Sequence, residues 1–114
     1  MVNVARIDEI SKEIRDIRLD QEDAERYTKK LQQEEEYAYE YIQNLIFNMS
    51  KEFEACQGDR YLTNLVEHRY NKLKQTQREC EEFLLKLQED RRKFRNKCEL
   101  EIATLEKERN NLMI

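Results

Sequence analysis

The sequence predicts an all-α chain, an antiparallel two-helix hairpin of coiled-coil type, and three observations carry that expectation. Pro is absent and Gly occurs once, at Gly58. Apolar residues recur at alternating steps of three and four over most of the chain, the repeat of a coiled-coil seam. A Gly-Asp pair falls close to the midpoint of the 114 residues. A chain so poor in turn formers has little with which to build strands, tight turns or a phosphate-binding loop. Its 40% charged residues and mean hydropathy of −1.05 would suit a disordered tract, but periodic apolar residues distinguish an amphipathic helix from a solvated one.

The first helix is expected over about residues 4–56. Its seam runs through Ile7, Ile10, Ile14, Ile17, Gln21, Ala24, Thr28, Leu31, Glu35, Ala38, Ile42, Leu45, Met49, Glu52 and Cys56, of which eleven of fifteen are apolar. So high a fraction over that length is the strongest signal in the chain. The turn is expected at about 57–59, within Cys56-Gln57-Gly58-Asp59. Gly58 can adopt the left-handed conformation that ends a helix, and Asp59 can cap the next one.

The second helix is expected over about 60–112. Its seam reads Leu62, Val66, Arg69, Leu73, Thr76, Cys80, Phe83, Leu87, Asp90 and Phe94, then Cys98, Ile102, Leu105, Arg109 and Leu112. Two consecutive steps of four at Phe94–Cys98–Ile102 form a stutter that locally unwinds a supercoil. Folding at Gly58–Asp59 makes residues 1–114 one hairpin domain. It sets Leu45 opposite Leu73, Leu31 opposite Leu87, Ile17 opposite Ile102 and the small Ala24 opposite Phe94. The acidic run 20–25 then faces the basic run 91–97.

That register bears on function. The basic run could suggest nucleic acid, but the chain is acidic overall, with a net charge of −4, and the run has an acidic partner within the hairpin, so no nucleic-acid binding is expected. Phe94, inside the run, is expected to be buried on the seam. The longest apolar run, Leu45-Ile46-Phe47, is far too short to cross a bilayer, and no membrane insertion is expected. No leader segment is visible at the first residues, which suggests a cytoplasmic protein, or one exported together with its partner. Cys56, Cys80 and Cys98 lack metal-site spacing and read as small buried thiols, and the lone His68 has no catalytic company. No catalytic residue, metal site or cofactor is expected, and the chain is not read as an enzyme.

Apolar side chains beyond the two seams point to a partner. Tyr39, Ile46 and Phe53, spaced by seven, form a second stripe on the first helix beside Phe47; Leu65, Tyr70, Leu84 and Leu85 lie off the seam of the second. Two helices bury one stripe each, so these residues either thicken the hairpin's own core or meet a partner. Aromatic side chains suit interface cores, which favours the partner, with Tyr39, Ile46, Phe47, Phe53, Leu65, Tyr70 and Leu84 as the binding surface. A helical protein partner, or a second copy in a homodimer, would complete a four-helix bundle.

A helical hairpin of about this size, with Cys56-Gln57-Gly58 at its turn, resembles the WXG-type proteins of bacterial type VII secretion. Their turn carries Trp-x-Gly; here the Gly is kept and Cys56 replaces the Trp. Their export signal, an aromatic residue followed four positions later by an acid, does not occur at any Tyr or Phe of this chain. The chain looks more like the WXG-like accessory proteins of LXG toxins in Gram-positive bacteria. That resemblance implies a targeting chaperone that binds the helical N-terminal domain of a secreted toxin. The other reading is a structural coiled-coil subunit, a stalk or ATPase-associated hairpin of another secretion or motor assembly.

Overall fold

A computed structural model describes residues 3–114 and shows two helices, α1 (Val4–Ala55) and α2 (Arg60–Met113), packed as a hairpin. Helix α1 begins where Asn3 caps it: the Asn3 Oδ1 accepts a hydrogen bond from the Arg6 backbone N–H at 3.0 Å, satisfying a donor that the first helical turn leaves free. Helix α1 ends one residue before its expected limit of 56, and α2 ends one residue beyond 112.

The turn forms as its residue types dictate. Gly58 has φ +91°, a region that side chains rarely tolerate. Asp59 caps α2, its Oδ1 accepting from the Leu62 N–H at 3.1 Å. The Asp59 N–H donates to the Cys56 carbonyl at 3.0 Å, and the Thr63 hydroxyl donates to that same carbonyl at 3.2 Å. Gln57 is exposed and donates its N–H to the Glu54 carbonyl. Several backbone groups freed by the chain reversal thus find partners, which helps so short a connection hold.

The chain divides into two compact units. In the terminal unit (Met1–Lys30 with Gln88–Ile114), Ile10, Ile14 and Ile102 are buried together, with Ile17, Leu105 and Leu112 packed against them. Ile10 is fully enclosed, and each such isoleucine contributes on the order of 1.5–3 kcal/mol through removal from water. Ile17 thus packs against the cluster that holds Ile102, as the expected register requires. Around this core, Arg6 reaches across to Glu108 (3.0 Å), Arg18 to Glu106 (3.4 Å) and Arg91 to Glu25. The last of these is the expected meeting of the acidic and basic runs. Phe94 departs from expectation: it is 38% exposed.

In the turn unit (Leu31–Leu87), Ile42, Met49, Cys56 and Cys80 are buried. Here the seams differ from expectation in phase. Leu45 and Glu52 on α1 are exposed, and the half-buried residues between the buried ones are Ile46 and Phe53. The α1 seam therefore steps Ala38–Ile42–Ile46–Met49–Phe53–Cys56, with two consecutive steps of four at its start, so α1 carries its own stutter. On α2 the expected Leu62, Arg69, Thr76 and Phe83 are exposed, and Thr63, Tyr70, Gln77 and Leu84 are half-buried instead. The same offset continues in the terminal unit, where Asp90 is exposed and Arg91 half-buried. The positions shared by both phases, Val66, Leu73, Cys80 and Leu87, lie inside as expected.

Candidate partner-binding surface

The phase of the seam decides which apolar side chains remain for a partner. Of the seven expected surface residues, five belong in part to the hairpin's own interior. Ile46, Phe53, Tyr70 and Leu84 are half-buried on the seams. Phe53 and Tyr70 meet edge to face across the two helices, ring centroids 6.0 Å apart and planes at 70°, a favoured aromatic geometry. The fifth, Tyr39, is half-buried and donates its hydroxyl to Glu81 Oε1 at 3.1 Å across the helices. That hydrogen bond raises the phenol above its ordinary range, with desolvation acting in the same direction. The stripe Tyr39–Ile46–Phe53 is thus largely inward-facing. Its spacing of seven is the heptad repeat of the seam itself.

Two of the expected residues do stand out in solvent: Phe47, 78% exposed, and Leu65, 45% exposed. Leu85, off the seam as expected, is more than half exposed, as are Tyr37, Tyr41 and Tyr61, and Leu45, Leu62 and Phe83, released by the phase change, are partly so. The signal for Tyr37 and Tyr41 was present in the chain: they are four residues apart and share the outer face of α1. The exposed row Tyr37–Tyr41–Leu45 continues at that spacing.

Electrostatics distinguish this region further. Residues 31–57 carry six carboxylates and one lysine, whereas residues 58–87 carry six cations and five carboxylates. Among the described residues, the ion pair within the turn unit is Arg69–Glu52 at 3.5 Å. The outer face of α1 in this unit is therefore aromatic and acidic, with the charge of residues 31–57 only partly compensated from within.

The remaining candidates are more enclosed. Cys56, Cys80 and Cys98 are free and buried, as expected. Burial pushes the Cys80 and Cys98 thiols up, and nearby carboxylates, Glu35 for Cys80 and Glu101 for Cys98, add to the effect. Both are held in the neutral, poorly nucleophilic form. A hollow open to solvent beside the turn is lined by Gly58, Asp59, Arg60, Thr63 and Asn64. No helix among the described residues is long and apolar enough to cross a membrane. Compared with protein-family models, with curated proteins and with solved structures, the chain has no significant match.

Proposed function

We propose that the chain is a non-enzymatic adaptor that binds a helical partner side by side. In line with its resemblance to the WXG-like accessory proteins, that partner is the helical N-terminal domain of a secreted toxin destined for type VII export. The observation that supports the adaptor reading is the set of large apolar side chains left outside the seam of the turn unit, with Phe47, Tyr37 and Tyr41 between 61% and 78% exposed. Scattered single apolar residues are ordinary on a surface, but three aromatic rings within eleven residues of one helix are not. Packing them against another helix removes their faces from water and extends the hairpin toward a bundle.

The test is co-expression with a toxin N-terminal domain encoded beside this chain, followed by co-purification. Phe47→Asp with Leu65→Asp should abolish the complex, because a carboxylate stranded in an apolar interface costs on the order of several kcal/mol. Both positions are exposed in the hairpin, so the helical circular dichroism of the free protein should be unchanged. A complex that survives the double substitution would show that this surface is not the one used.

A further inference from the structure

The aromatic row of α1 carries information about the partner's charge. Tyr37 is 75% exposed and Tyr41 61% exposed. On the helix surface Glu34 lies three residues before Tyr37 and Glu40 three residues after it, so the two carboxylates flank its ring. Glu34 and Glu40 are exposed, and the unit's one internal ion pair, Arg69–Glu52, involves neither. Glu36 is engaged only by the Gln32 amide on its own helix, at 3.0 Å. Glu35 differs: it is half-buried and acts on the Cys80 thiol.

We infer that this row, Tyr37 and Tyr41 edged by Glu34 and Glu40, receives a basic amphipathic helix, one that presents apolar residues to the rings and Arg or Lys at its flanks. The inference rests on the adaptor reading and names the chemistry of the partner. A neutral or acidic helix laid over the row would desolvate the two carboxylates without compensation. Arg and Lys at the flanks would pair with Glu34 and Glu40, and a guanidinium can also stack on the exposed face of Tyr37 or Tyr41. The charge imbalance of residues 31–57, which the facing part of α2 only partly offsets, steers the same class of partner during encounter.

A second copy of the chain also holds a basic stretch, Arg92-Lys93-Phe94-Arg95-Asn96-Lys97, with Phe94 partly exposed. The experiment separates the two sources. Two labelled four-heptad peptides with the same leucine seam, one with Arg and Lys at the flanks and one with Glu, are titrated with the full chain and followed by fluorescence anisotropy. The basic peptide should bind about tenfold or more tightly than the acidic one at low salt, and the gap should narrow as salt rises. Glu34→Lys with Glu40→Lys should remove the preference without changing the thermal melt.

Equal binding of both peptides would overturn the inference while leaving the adaptor reading intact. Binding of neither would also overturn it, and the adaptor reading would then stand or fall on the co-purification above. Sedimentation equilibrium of the chain alone supplies the last arm: a dimer dissolved by the double charge reversal would overturn a foreign partner and assign the row to the second copy.

Discussion

Phe53 and Tyr70 meet edge to face at 6.0 Å, and this contact marks the phase in which α1 and α2 pack near the turn. Phe53 cannot reach that position unless Glu52 stays outside, where it pairs with Arg69 at 3.5 Å. The two neighbouring pairs thus describe one alignment: rings inward, charges at the flank. Phe53→Ala should destabilise the hairpin by about 1–3 kcal/mol, less than for a fully enclosed ring because Phe53 is half-buried. A double-mutant cycle with Tyr70→Ala should show a coupling of about 0.5–1.5 kcal/mol. Zero coupling in urea titrations would mean that the rings do not meet in solution.

The turn offers a second test. A Cβ added at Gly58 would meet no atom within 4 Å, so any penalty comes from the backbone at φ +91° alone. Gly58→Val should therefore lower stability by about 1–3 kcal/mol, and Gly58→Asn by less, because Asn tolerates the left-handed region better. Thermal melts in which Val and Asn are equally harmless would place the chain reversal elsewhere.

Stability should also fall at alkaline pH. The folded chain raises Cys80 and Cys98 by burial and Tyr39 by its hydrogen bond to Glu81. A raised group keeps its proton in the folded state at a pH where the unfolded chain has lost it. Its contribution is fully present below the ordinary thiol value of about 8.5 and is lost as pH rises above it, with Tyr39 adding the same sign above about 10. The urea midpoint should be lower at pH of about 9.5 than at about 7.5, and Cys80→Ala with Cys98→Ala should blunt the difference. A midpoint independent of pH across that window would contradict the burial of these thiols.

Helix, turn and pairing were legible in the chain itself. The absence of Pro, the periodic apolar residues and the Gly58–Asp59 pair determine two helices and their reversal, because these depend on local conformational preference and on spacing along one strand. The packing of Ile17 against the cluster that holds Ile102 and the pairing of Glu25 with Arg91 follow once the turn is placed. Phase does not follow. On α2 the two candidate sets, Leu62, Arg69, Thr76, Phe83, Asp90 and Thr63, Tyr70, Gln77, Leu84, Arg91, hold two apolar residues of five each, so counting along one helix is indifferent between them. On α1 residue type does distinguish the phases, since Ile46 and Phe53 are a better pair to bury than Leu45 and Glu52, but only if the seam breaks its rhythm past Ile42. Only packing against the second helix decides which residues of each heptad turn inward, because a rotation of half a heptad step exchanges core for flank while leaving every helical hydrogen bond intact. That rotation is what drew Ile46, Phe53, Tyr70 and Leu84 into the hairpin and left Leu45, Leu62 and Phe83 partly in solvent.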